Sequence, residues 1–182
     1  MSSKNDKFYL KLALNLAKQH EGLTNENPSV GCVIVKDNKI LSLSKTSING
    51  RPHAEDNAIR FANTNDLKGS TIYVTLEPCT HHGKTPPCTD LIIKKKISKI
   101  VYASNDIDER TANKLKKVLK NHNISTKQIR MKEITDFYKS YFFIRNNKFP
   151  YITAKLACSN DYYIYSKKNK NITNELSRKT SH

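Results

Sequence analysis

The sequence predicts an α/β domain in three layers, with helices on both faces of a five-stranded, mixed and mostly parallel sheet. Three observations predict it. The run from Val30 to Val35 is β-branched and almost wholly apolar, too short for a helix and suited to a strand covered on both faces. Asp37-Asn38 supplies a turn before the alternating stretch Lys39 to Ser44, which makes a hairpin. After the hairpin, helical and strand patterns alternate as far as Ile129, and strands joined by crossover helices run parallel.

Taken in order, residues 6 to 20 read as an amphipathic helix. Phe8, Leu12 and Leu16 fall four apart on its apolar face, Ala13 and Ala17 stand beside them, and Gly22 stops it. Asn27-Pro28 closes the loop before the first strand. A loop from Lys45 to Pro52 leads into a helix from about His53 to Asn63. The next strand is Thr71 to Leu76, followed by a long loop with Pro86-Pro87 and a helix from Cys88 to about Lys96. A strand from Lys99 to Ala103, a helix from about Thr111 to Asn121 and a strand from Ile124 to Ile129 complete the sheet. A helix over 134 to 146, rich in Phe and Tyr, ends a first domain spanning residues 1–146. After Pro150 a further strand is expected from Tyr151 to Ala157, opening a segment of residues 147–182 that is too short to build its own core.

Composition narrows the class. With 182 residues, 37% hydrophobic and 26% charged, and only 5 Gly and 6 Pro, collagen-like, low-complexity and wholly disordered chains are excluded. No apolar run approaches the roughly 20 residues that span a bilayer. The first twenty residues lack a signal-peptide core, so a cytoplasmic protein with no membrane partner is expected. The net charge of +16 would suit a nucleic-acid partner, but its make-up weakens that reading. The basic residues are overwhelmingly Lys, scattered along the chain, whereas phosphate and base readout favours the scarce Arg. Cys32, Cys79, Cys88 and Cys158 are expected to be reduced thiols, and Cys32 lies inside the Val-rich strand and reads as packing.

Chemistry concentrates in three pieces: Pro52-His53-Ala54-Glu55, Pro78-Cys79, and Cys88 nine positions after Cys79. One imidazole and two thiolates form a three-ligand zinc set with a fourth position for water, as a catalytic site requires. Such a metal lowers the pKa of its water to near neutral. His53 and Glu55 lie about 200° apart on a regular helix, so both can serve one site only if His53 precedes full helical geometry. Cys88 likewise sits at a helix start. Glu55 is then a proton shuttle beside the water, the division of labour of zinc deaminases. His81 or His82 could instead close the shell and make the site structural. Alone, a His-x-Glu is ordinary surface decoration; the ordered set points to catalysis.

The segments Asn27 to Val35 (NPSVGCVIV), Pro52 to Glu55 (PHAE) and Thr75 to Cys88 (TLEPCTHHGKTPPC) resemble the deaminase domain of the bifunctional riboflavin biosynthesis protein RibD, in the cytidine deaminase-like superfamily. The resemblance spans nearly all of residues 6–146. It implies hydrolytic deamination of 2,5-diamino-6-ribosylamino-4(3H)-pyrimidinone 5′-phosphate, a small pyrimidine ribotide, to 5-amino-6-(5-phosphoribosylamino)uracil and ammonia. It also implies one Zn2+ on His53, Cys79 and Cys88, proton transfer by Glu55, and substrate contacts at Asn27, His81, Lys84 and Asp106. Lys84 would meet the ribosyl phosphate. The family continues Asp106 with an Asp-Pro-Asn-Pro segment, where this chain reads Asp106-Ile107-Asp108-Glu109. Thr46 stands where many members have His, and Ser42 and Ser44 replace glycines.

Phe149 to Ala157 resembles the opening strand of the family's reductase domain, and Ile172-Thr173 its next motif. Ala157 and Asn171 match positions that meet NADPH in complete, full-length members. Residues 147–182 therefore read as a truncated piece of a reductase domain without reductase activity. Two other functions compete: a tRNA or other nucleic-acid base deaminase, and an inactive truncation product. The oligomeric state is open, a homo-oligomer included.

Overall fold

A computed structural model describes residues 3–62, 66–147, 149–164, 171 and 173–179. Two compact units divide the chain, Met1–Lys148 and Phe149–His182.

The first unit runs α1 (Ser3–Lys18), β1 (Gly31–Lys36), β2 (Lys39–Lys45), α2 (Ala54–Arg60), β3 (Thr71–Leu76), α3 (Cys88–Lys94), β4 (Lys99–Ser104), α4 (Leu115–Leu119), β5 (Ser125–Gln128), α5 (Lys132–Phe137) and α6 (Lys139–Asn147). The sheet order is β2-β1-β3-β4-β5. Asp37 and Asn38 both take positive φ in the tight turn that returns β2 against β1. β1 is antiparallel to both neighbours, so parallel pairing is confined to β3–β4–β5. The hairpin explains this: β2, not β1, feeds the α2 crossover, and β2 and β3 consequently run the same way.

Alternation along β3 separates the two faces. Tyr73 and Thr75 meet α1 and Tyr138, while α2 and α3 cover the opposite side of the sheet. The core is dominated by apolar side chains, with Leu10, Val33, Ile34, Ile72, Ile92, Ile100 and Leu115 inaccessible to solvent. The buried stripe of α1 differs from the expected one. Leu10, Ala13, Leu14 and Ala17 face the sheet, whereas Phe8 is 60% exposed. Gly31 is the reason: a Cβ there would lie 1.8 Å from the Ala13 carbonyl oxygen, so the helix backbone seats directly on β1 and the alanine face becomes the contact.

Charge then locks that face. Asp6, 5% exposed, accepts from Tyr73 Oη at 2.9 Å and from Lys127 Nζ at 2.7 Å. On the same side a hydrogen-bonded chain runs from Gly31 N–H to Thr75 Oγ1 (3.1 Å), from Thr75 to Tyr138 Oη (2.6 Å), and from Tyr138 to the Ser29 carbonyl (3.0 Å). The Thr75 and Tyr138 hydroxyls are thereby satisfied. Tyr138 leaves helical geometry at φ −86°, ψ 0°, so the single helix expected over 134–146 is two helices, α5 and α6.

Two further expectations change. The stretch 111–121 opens as a turn over 111–114, where Asn113 takes φ +60°, with α4 confined to Leu115–Leu119 and a 3-10 turn following it. In the second unit, Tyr151 to Ala157 forms no strand, and its side chains are exposed. A strand is stable only in a ladder, and no strand partner exists among the described residues of that unit. Its described structure is a turn, in which Ser159 N–H donates to the Tyr163 carbonyl, and α7 (Glu175–Lys179). Asn63, the expected end of the second helix, and Ile172 lie outside the described residues. Among the described residues no helix is long and apolar enough to cross a membrane.

Candidate active site

The site forms where β3 ends and two helices begin. His53 is the residue before α2, with extended φ −69° and ψ 161°, so it escapes the helical angle that would turn it away from Glu55. Asn57, one turn into α2, steadies the approach: its amide donates to the Lys45 carbonyl and to Ser47 Oγ, each at 2.9 Å. Cys79 follows β3, and Cys88 is the first residue of α3. The Cys88 N–H donates to Cys79 Sγ at 3.2 Å, so the helix start serves the neighbouring sulfur.

His53 Nδ1 lies 3.7 Å from Cys79 Sγ and 3.5 Å from Cys88 Sγ, and the three donor atoms lie within 4.8 Å of one another. Zinc bonds of about 2.3 Å to sulfur and 2.1 Å to nitrogen, at a tetrahedral angle, separate the two donors by about 3.6 Å. The donor set and its spacing therefore fit zinc. Taken as bare side chains, the two thiols share a proton: the Cys88 thiol beside it pushes Cys79 down to about 4, and Cys79 in turn pushes Cys88 up. One sulfur is already poised as a thiolate, the form that ligates.

Glu55 is 4% exposed and lies within hydrogen-bonding reach of the Cys88 sulfur. Burial pushes its carboxyl up to about 7, opposed by the His53 ring and reinforced by the Cys79 sulfur. A carboxyl that titrates near neutrality can both take and return a proton. Cys32 is fully buried in β1, and all four cysteines are free thiols.

A cavity of about 490 Å³ opens over these groups, within the range of small-molecule sites. Asn27, His81 and Asp106 line it together with His53, Glu55 and Cys79. Asn27 Nδ2 donates to the Gly50 carbonyl at 3.1 Å, which fixes the carboxamide and leaves its oxygen as the end Gly50 does not engage. Gly50 adopts φ +86°, and a Cβ there would stand 2.5 Å from Asn27 Nδ2, so only glycine fits. His81 Nδ1 meets Thr111 Oγ1 at 2.9 Å, and His82 faces Asp90 at 3.7 Å, so each has a partner away from the three donors. Burial raises the Asp106 carboxyl. Lys84 is exposed and does not line the cavity; an ammonium on an open loop is best solvated by water. Ala157 and Asn171 are exposed residues of the second unit.

Sequence reasoning missed several contributors, among them Arg51, Glu77, Tyr141 and Arg145, which also line the cavity. Arg51 adjoins the PHAE motif and Glu77 lies within the Thr75 to Cys88 segment, which was the available signal. Tyr141 and Arg145 lie four apart on α6, and the Arg145 guanidinium sits 5.6 Å from the Tyr141 ring centroid. Glu77 organises the loop opposite the candidate donors His53, Cys79 and Cys88. It is 3% exposed and accepts backbone N–H bonds from Asn113 (3.1 Å), Leu115 (3.2 Å) and Asp106 (3.4 Å).

Residues 3–104 match the model of the cytidine and deoxycytidylate deaminase zinc-binding region. The riboflavin biosynthesis protein RibD of Aquifex aeolicus is 41% identical over 180 residues, covering 97% of this chain and 50% of that protein. This chain thus spans about half the length of the RibD relatives it matches. A diaminohydroxyphosphoribosylamino-pyrimidine deaminase of Buchnera aphidicola from Schizaphis graminum is 41% identical over 140 residues, which are 77% of this chain and 95% of that one. A solved Thermotoga maritima diaminohydroxyphosphoribosylaminopyrimidine deaminase/5-amino-6-(5-phosphoribosylamino)uracil reductase aligns at TM-score 0.83 and 35% identity, covering 96% of this chain and 51% of that one. Similarity along nearly the whole of a stand-alone deaminase, joined to the matching zinc-region model, makes this chain a member of the cytidine and deoxycytidylate deaminase family, in its RibD branch.

Proposed function

We propose that this chain hydrolyses the exocyclic 2-amino group of 2,5-diamino-6-ribosylamino-4(3H)-pyrimidinone 5′-phosphate, releasing ammonia and 5-amino-6-(5-phosphoribosylamino)uracil. The observation that carries the reading is the convergence of His53 Nδ1, Cys79 Sγ and Cys88 Sγ beside the buried Glu55 at the cavity wall. The substrate class rests on the names of the relatives, above all the Buchnera deaminase.

His53, Cys79 and Cys88 would hold one zinc ion, which supplies Lewis-acid activation of water when bound. A Glu55 carboxylate oxygen takes a proton from the attacking water and delivers it to the adjacent ring nitrogen. As the C–N bond breaks, the same oxygen passes the second proton to the leaving nitrogen, so water is consumed and ammonia departs. The Asn27 carboxamide, the His81 ring and the Asp106 carboxylate are proposed to orient the pyrimidine and ribose. Ala157 and Asn171, the positions that resemble NADPH contacts, are both exposed, and no catalytic role is proposed for them.

Ammonia release from the ribotide, with and without a chelator, tests this. The zinc-loaded protein is expected to turn the ribotide over and the chelated protein to lose activity. Deamination of tRNA without any of the ribotide would overturn the substrate.

A further inference from the structure

A ribotide brings a dianionic phosphate that some cation must meet, and Lys84 does not line the cavity. Three arginines do: Arg51, Arg110 and Arg145. Arg110 is taken up by Asp108, whose carboxylate it grips with Nε (2.9 Å) and Nη2 (2.5 Å). Arg145 donates to the Glu26 carbonyl and lies over the Tyr141 ring. Arg51 instead donates through Nη1 to a neutral hydroxyl, Thr85 Oγ1, at 2.5 Å. Among the described residues it is paired with no carboxylate.

The other Arg51 nitrogen is placed beside the inserted loop. Arg51 Nη2 and His81 Nε2 each lie 3.8 Å from the point where a Gly83 side chain would begin. The two nitrogens are therefore no farther apart than twice that distance, within the roughly 8 Å spanned by a phosphate and one hydrogen bond on each side. The His81 ring is steadied by Thr111 through Nδ1, which leaves Nε2 for this gap. Gly83 adds no side chain beside either nitrogen.

Resting on the ribotide-deaminase reading, we infer that Arg51, with His81 beside it, is the phosphate-binding cation of this chain, and that Lys84 is not. A guanidinium suits the task because its planar fork holds two phosphate oxygens while Thr85 holds its far side.

The test compares wild type, Arg51→Ala, Arg51→Lys and Lys84→Ala, each with its zinc content and melting temperature measured. Arg51→Ala should lower kcat/KM for the ribotide about 10- to 100-fold, mostly through KM. It should change the dephosphorylated riboside by less than about threefold, and Arg51→Lys should fall between. Calorimetric titration with ribose 5-phosphate reads the same contact without turnover: Arg51→Ala should lose binding and Lys84→Ala keep it. Equal losses on ribotide and riboside, or unchanged ribose 5-phosphate binding in Arg51→Ala, would overturn the assignment. A wild type that binds ribose 5-phosphate through Arg51 but leaves the ribotide intact would refute the deaminase reading alone.

Discussion

Replacing Glu77 by Gln isolates what the loop facing the candidate His53, Cys79 and Cys88 donors contributes. The carboxylate takes Asn113 and Asp106 N–H on Oε2 and Leu115 N–H on Oε1. A carboxamide has one acceptor oxygen. Set against Asn113 and Asp106, it turns its NH2 toward the Leu115 N–H, leaving a buried donor against a donor. One such unsatisfied group costs about 1–3 kcal/mol, and charge assistance is lost at the other two bonds. A total near 2–4 kcal/mol lowers the melting temperature by about 4–16 °C for a chain of this length. The loop carries Asp106, Ile107 and Asp108 to the cavity but holds none of His53, Glu55, Cys79 or Cys88. KM for the ribotide should therefore rise more than kcat falls, with zinc content unchanged. A melt within about 2 °C of wild type, together with an unchanged KM, would refute the role given to Glu77.

Two other predictions concern the α1 face. Gly31→Ala puts a methyl 1.8 Å from the Ala13 carbonyl oxygen, backbone that no rotamer change relieves, and should cost about 3 kcal/mol or more; an unchanged thermal melt would contradict that packing. Asp6 titrates below its ordinary value: burial pushes the carboxyl up, but Lys127, Tyr73 and Lys99 outweigh it. Because the folded value is depressed, its stabilisation is present above the ordinary carboxylate value of 3.8 and is lost as pH falls through the folded value. Asp6→Asn should thus melt well below wild type at pH 7, with the gap closing toward pH 3. A gap constant across that range would sink the ion-pair account.

The candidate donor set was legible because ligation restricts residue type within short motifs, and both His53 and Cys88 sit where local signals start helices. The hairpin was legible for a similar reason, since Asp37-Asn38 tolerates the positive φ its turn needs. Features made by distant contacts were not legible. The apolar face of α1 depends on a glycine in β1 that lets the helix backbone approach. The break between α5 and α6 falls at Tyr138, whose hydroxyl bonds to Thr75 and Ser29 across the sheet. The stretch before α4 follows Glu77 and the Asp108 carbonyl, which accepts from both Thr111 and Ala112 at 2.8 Å, rather than helical periodicity. Tyr151 to Ala157 has strand composition, yet a strand exists only with a neighbour. Arg51, Glu77 and the Tyr141–Arg145 pair of α6 reach the cavity from three places in the chain, and spacing alone could not bring the three together.

Glu55→Gln, assayed in parallel for bound zinc and for ammonia released from the ribotide, tests the chemistry most directly. The variant should retain about one zinc per chain, because three other side chains supply the donors, while turnover drops at least about 100-fold. Zinc lost on substitution, or ammonia released at close to the wild-type rate, would contradict a proton-carrying Glu55 beside a His53, Cys79 and Cys88 metal site.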